Sequence, residues 1–365
     1  MSKAPKAKRL YQFEPDYAVP PGETLQEVIE SMKMTLKELS VRTNITEQSI
    51  IRMIKGEQPI SFDSANKFEM VTGVPARFWN DLEMQYREQL SKIAQKEEME
   101  KSIAWGKSIP IQELMDRQAI PPSASPPERV QEALRFYGVA SVAAWERLWN
   151  DPKVAARRSD CFEHLPGPAT AWIRLGEIEA HKQICRPYKK EIFRDHLQKI
   201  RELTQEAPSV FIPTMQNLCA QAGVALVLIQ EMKKVPWNGA TKWLSPEKAM
   251  IILNLRGKGE DLFWFSFFHE AGHVLTGKKQ HLYIAENNDD SPEEKKADRF
   301  ASEILIPAKN NNLIARIRSK SELIEIAESL AISPGIVAGR YRFLTERWDY
   351  YKDMTKRFCW DTQEN

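Results

Sequence analysis

The chain has 365 residues, 42% of them hydrophobic, and 52 Lys and Arg stand against 50 Asp and Glu. A net charge of +2 gives no global pull toward nucleic acid or membrane, and no apolar run reaches the roughly 18 residues a membrane helix needs. Cys161, Cys185, Cys219 and Cys359 are scattered without a C-x-x-C pair, which fits reduced thiols in a soluble cytoplasmic protein better than a disulfide frame or a cysteine-zinc site.

The length predicts two or three domains, of α+β class and predominantly helical. Residues 1–20 carry Lys3, Lys6, Lys8 and Arg9 before Pro15 and Pro20, and read as a basic, solvated arm. Residues 21–92 have the rhythm of a helical bundle. Thr24 with Glu27, and Thr35 with Glu38, are capping-box starts. Asn44-Ile45 makes a short turn, and Thr46 to Ile54 is a third helix closed by Lys55-Gly56; further helices follow from Asp63 to Val71 and from Pro75 to Tyr86. Two short helices joined by such a turn have helix-turn-helix geometry. The second would point Thr46, Gln48, Ser49 and Arg52 outward and pack with Ile45, Ile50, Ile51 and Ile54. Arg52 has the chemistry for a guanine edge and Gln48 for an adenine edge.

Pro21-Gly22-Glu23-Thr24-Leu25, Leu36-x-x-Leu39-Ser40, Ile54-x-Gly56-x-x-Pro59-Ile60-Ser61 and Pro75-x-x-Phe78-Trp79 resemble the XRE-type helix-turn-helix of HigA-like antitoxins. That resemblance implies operator DNA as a ligand and a homodimer as the binding form. Against it, residues 1–90 hold 12 Lys and Arg but 13 Asp and Glu, and the recognition helix opens on Glu47. A bundle that binds protein instead is the other reading.

Residues 93–127 read as a charged helical connector ending in the Pro- and Ser-rich stretch 121–127, taken as a turn or stiff linker. Residues 128–205 are a helical middle region with a core stripe of Val130, Leu134, Tyr137, Trp145 and Trp149. Glu177 lies one turn before His181 without a third ligand, and His164 and His196 are no better placed, so these histidines are assigned no chemistry. The basic run from Arg186 to Arg201 reads as a solvated face.

From residue 206 the pattern changes to a zincin-like plan with a small sheet. Gly223 caps a helix; Val224 to Ile229, Gly239 to Leu244 and Met250 to Leu255 read as three strands. Gly239, Ala240 and Thr241 are nominated as an edge strand to pair with an extended substrate backbone. An apolar helix then carries His269-Glu270-Ala271-Gly272-His273. Four-residue spacing puts both imidazoles on one helix face, where they can ligate one Zn²⁺ with Glu270 beside them as general base. Ser291-Pro292-Glu293-Glu294 starts the next helix, which Pro307 ends. Glu294 can point inward as third ligand, and Asp298, one turn on, can hold the outer nitrogen of a ligating histidine.

His269-Glu270-x-x-His273, with Glu294-x-x-Ala297-Asp298-x-Phe300-Ala301 and Ile304-Leu305-Ile306-Pro307, resembles the ImmA/IrrE family of zinc metallopeptidases over about residues 205–345. The resemblance implies Zn²⁺ held by His269, His273 and Glu294, Glu270 as base, and a repressor- or antitoxin-like protein substrate in the core 206–310. The segment 311–365 is read as helical, with its helix start at Ser333-Pro334-Gly335 and aromatics that dock its tail onto the body. The expected activity is a zinc endopeptidase carrying its own helix-turn-helix domain. The alternative is a DNA-binding regulator whose zinc domain senses a partner without cutting it.

Overall fold

The structure is a computed structural model that describes residues 17–150, 166–277, 282–284 and 291–360, with only the backbone at Asn150 and 282–284. Lys3, Lys6, Lys8, Arg9, Pro15, Cys161 and His164 lie outside the described residues. The chain divides after Ile103 into two units. That division falls inside the segment read as a connector, upstream of the Pro-rich stretch.

The first unit contains α1 (Pro21–Ser31), α2 (Leu36–Thr43), α3 (Glu47–Ile54), α4 (Phe62–Thr72) and α5 (Ala76–Lys101). Hydroxyl caps start three of them: Thr35 accepts from Glu38 N, Thr46 from Ser49 N and Ser61 from Ser64 N. Between α2 and α3, Asn44 takes the left-handed conformation (φ 55°), which turns the chain tightly enough for the two helices to pack. Leu25, Leu39, Ile50, Phe68 and Trp79 form the core, with Phe68 and Trp79 edge-to-face at 6.0 Å.

The second unit begins with short helices, α6 (Ile103–Gly106) and α7 (Ile111–Asp116), then α8 (Pro126–Tyr137) and α9 (Val142–Asn150). Longer ones follow: α10 (Pro166–Lys182), α11 (Lys190–Glu202) and α12 (Pro208–Gln221). A four-stranded sheet is built from β1 (Val224–Leu228), β2 (Gly239–Ser245), β3 (Lys248–Leu253) and β4 (Leu282–Ile284), in the order β1-β3-β2-β4. β1 runs parallel to β3, and β2 runs antiparallel to both β3 and β4. The remaining helices are α13 (Glu260–Thr276), α14 (Pro292–Leu305), α15 (Asn311–Ile314), α16 (Lys320–Leu330) and α17 (Pro334–Thr345). No described helix is long and apolar enough to cross a membrane.

The strands are hydrophobic on both sides because the sheet is covered on both sides. Val224, Leu226, Ala249, Ile251, Leu253 and Trp243 face a core shared with α11, α12, α13, α16 and α17. The alternate residues Ala225, Val227, Ala240, Met250 and Ile252 face a second core, which holds Ile111, Leu114, Trp145, Trp172 and Trp237. The middle region is therefore a layer of the same fold, and the Pro-rich stretch is a loop within it. β3 ends two residues earlier than its apolar run suggests. Asn254 turns the chain there, donating to Trp237 O at 2.7 Å and accepting from Arg256 N at 2.9 Å.

Arg201 belongs to the basic run yet is not a solvated charge. Its Nε donates to Ile304 O at 2.7 Å, and Nη2 to Leu305 O at 3.1 Å and Leu330 O at 2.8 Å, tying down the ends of α14 and α16. The tail docks through Phe358, which sits with Phe211 and Phe263, and through Trp360, whose indole donates to Glu231 at 2.8 Å. Trp348 and Tyr350 stay exposed.

Candidate metal centre

α13 is buried along most of its length, as its largely apolar sequence requires. It packs most extensively on α14, and Gly272 is the reason the two can approach. A Cβ there would lie 3.1 Å from Ala297 Cα and 3.3 Å from the Phe300 ring. α14 starts with Pro292 in its first turn, and the Ser291 hydroxyl accepts from Glu294 N at 3.3 Å. The Glu294 carboxylate reaches across to α13.

Three side chains from the two helices meet. His269 Nε2 is 2.9 Å from Glu294 Oε2, His273 Nε2 is 3.0 Å from Glu294 Oε1, and the two imidazole nitrogens are 3.0 Å apart. All three residues are buried. Behind them, His269 Nδ1 donates to Asp298 Oδ1 at 2.8 Å, which fixes the ring and leaves Nε2 turned inward. Asp298 itself stands at the surface.

Burial pulls the His269 imidazole down, but its bonds to Asp298 and Glu294 and the charges of Glu270 and Glu294 outweigh this and push it up to about 10. Burial would raise Glu294, yet the two imidazoles hold it down at about 2. Glu270 is fully buried and raised, burial prevailing over the attraction of both histidines and the Thr241 bond.

The donor set fits a divalent cation of zinc type. Two nitrogens and a carboxylate converge on one point, and the oxygen Glu294 Oε2 is buried without a well-directed hydrogen bond. Ligands in a tetrahedron at about 2.0–2.1 Å from zinc lie roughly 3.3 Å apart, close to the spacing found here.

Glu270 points from α13 onto β2. Along that strand Gly239, Thr241 and Trp243 face α13, while Ala240 and Lys242 face the opposite core. Thr241 is fully buried and donates its hydroxyl to Glu270 Oε2 at 2.6 Å. The expected edge-strand role of Gly239, Ala240 and Thr241 needs correction on geometric grounds. β4 pairs with β2 from Ala240 to Lys242, so β2 lies inside the sheet, with ladders on both flanks. Sequence reasoning thus singled out Thr241 for its strand and missed its bond to the carboxylate. Only the alternation of the strand against α13 could have suggested that bond.

Elsewhere the candidate residues separate. On α3, Gln48 and Arg52 are exposed, whereas Thr46 and Ser49 bond each other across the helix start, Thr46 Oγ1 to Ser49 Oγ at 3.0 Å. Ile51, expected inside, is 38% exposed beside them, and Met53 takes its place in the core with Ile50. His181 Nδ1 donates to Glu177 O at 2.6 Å and His196 Nδ1 to Leu218 O at 2.8 Å, so both bond backbone carbonyls.

Residues 223–342 match the family model described as the IrrE N-terminal-like domain, Peptidase_M78. The matched span opens just before β1, ends within α17, and contains every residue of the cluster. It supports kinship of this part of the chain with the ImmA/IrrE family and a metallopeptidase-like function for it. No curated protein matches the chain.

Proposed function

We propose that the chain is a zinc-dependent endopeptidase acting on a protein substrate of the repressor or antitoxin kind. The observation that carries this reading is the buried His269, His273 and Glu294 cluster with a carboxylate base, Glu270, on the same helix. His269, His273 and Glu294 would hold the ion. Bound zinc supplies Lewis acidity, lowering the pKa of water and polarising a carbonyl. Asp298 holds the Nδ1 proton of His269, so that once the ring gives up its other proton Nε2 would present a lone pair to the ion. Glu270 takes a proton from the attacking water and delivers it to the leaving amine nitrogen as the peptide bond breaks. Its pKa, raised by burial, makes the carboxylate the stronger acceptor for the proton of the water.

The first unit is read as the recruiting part, presenting Gln48 and Arg52 on α3 either to operator DNA or to a partner protein. The rival, a regulator that binds zinc without cutting, has no use for a base buried beside the cluster.

The test is incubation of the zinc-loaded protein, and of a Glu270→Gln variant, with a peptide library digested from a bacterial lysate, followed by mass spectrometry. Zinc bound equally by both, with new peptide termini produced by the parent alone, is the expected result. No new termini from the parent would overturn the proteolytic reading in favour of a sensor.

A further inference from the structure

A base must keep one oxygen available, in a fixed place, while the rest of its carboxylate is restrained. Glu270 is long enough for several rotamers, and its own helix offers nothing to hold its head. The strand opposite does. The Thr241 hydroxyl lies 2.6 Å from Glu270 Oε2 and 3.1 Å from the Glu270 backbone oxygen, which the helix ladder already engages. Glu270 Oε1 is buried and has no hydrogen-bond partner among the described residues. Gly239, two residues back on the same face of β2, leaves the space Oε1 occupies: a Cβ there would sit 2.8 Å from Oε1 and 2.9 Å from Glu270 Cγ.

The strand is itself held. Thr241 pairs with Ile251 on β3 and Tyr283 on β4, and on the reverse face Lys242 forms an ion pair with the buried Glu177. A shift of one residue along β2 would turn Thr241 away from α13 and set Ala240 or Lys242 against the carboxylate in its place.

We propose that Gly239 and Thr241 are positioning residues: Thr241 restrains Oε2, Gly239 makes room for Oε1, and Oε1 is the oxygen that accepts the proton. This rests on the reading of Glu270 as the base, and its test therefore has one arm that needs no catalysis.

In that arm the metal-free full chain is melted as the parent, Thr241→Val, Glu270→Ala and the double variant. If the hydroxyl serves the carboxylate, Thr241→Val lowers the melting temperature by about 3 °C in the parent and by less than half as much once Glu270 is gone. Equal losses in both backgrounds would overturn the proposal. In the second arm the zinc-loaded variants are assayed on whichever library peptide the parent cuts fastest. Thr241→Val and Gly239→Ala should each lower kcat by about 100-fold with KM and zinc stoichiometry unchanged, and Thr241→Ser should recover most of the rate. A Thr241→Val protein with parental kcat, or a Thr241→Ser protein as slow as Thr241→Val, would overturn it. Should the parent cut nothing, the proteolytic reading falls while the melting cycle still decides the contact. Thr241→Ser and Gly239→Ala carry the test if Thr241→Val does not fold.

Discussion

Loading the cluster with zinc should expel a proton, and His269 sets the amount. In the metal-free chain its imidazole is pushed up to about 10 by Asp298, Glu294 and Glu270, against the opposing effect of burial. At pH 7.5 the ring is then over 99% charged, roughly, and a charged ring has no lone pair for a metal. Binding must therefore release about one proton per ion, and apparent affinity should rise about tenfold per pH unit from pH 7 to 9, flattening towards 10. The gap between pH 7.5 and about 10 withholds about 3 kcal/mol from zinc binding at the lower pH. Calorimetric titration with zinc in two buffers of equal pH but different ionisation enthalpy reads the proton count directly. Heats that do not depend on the buffer, or an affinity flat from pH 7 to 9, would refute the argument. The same shifts fix the pH range of metal-free stability. The folded value of His269 lies above 6.5, so its contribution is complete below pH 6.5 and fades as pH climbs towards 10. Glu294, lowered from 4.5 to about 2, contributes above pH 4.5 and loses that contribution as pH falls to about 2. The melting temperature of the metal-free protein should accordingly peak between these limits, so far as this pair decides it.

Two substitutions away from the reacting groups test how the fold supports them. Arg201→Met removes three hydrogen bonds to helix-end carbonyls. It should cost about 3 kcal/mol, or roughly 6 °C in the melting temperature of the second unit; a change below about 1 °C would contradict the structural role given to it. Gly272→Val places a branched side chain where a single Cβ already comes within 3.1 Å of Ala297 Cα. Forcing α13 from α14 should cost about 2 kcal/mol and weaken zinc binding at least tenfold, roughly, because Glu294 moves with α14. Equilibrium dialysis against zinc would show it, and unaltered affinity would mean that α14 accommodates the change without displacing its ligand.

Local chemistry was legible at most helix starts and turns, which depend on residues close in sequence; the capping box expected at Thr24 and Glu27 is the exception, because α1 already begins at Pro21, without a side-chain cap. The caps at Thr35, Thr46 and Ser291, the left-handed turn at Asn44 and the shared face of His269 and His273 all follow from spacings of a few residues. Glu294 was reachable too, since a single helix start fixes its direction. What the sequence concealed depends on which elements become neighbours. β4 is three residues long, too brief for a periodic signal, yet it changes β2 from an edge to an interior strand. Thr241 looks like an ordinary strand residue until α13 is laid over it. Arg201 sits among surface lysines and is told apart only by two helices ending beside it. Ile51 and Met53 exchanged places because on a helix of eight residues a small change in rotation decides which apolar side chain faces in.

The two-sided sheet has a practical bearing on how this molecule can be handled. Anyone expressing only the family-matched portion would strip away α8, α9 and α10, leaving Ala225, Val227, Met250 and Ile252 as a bare greasy plane in water. Such a fragment would clump before any metal binding could be measured, so useful trimming starts no later than Ala104.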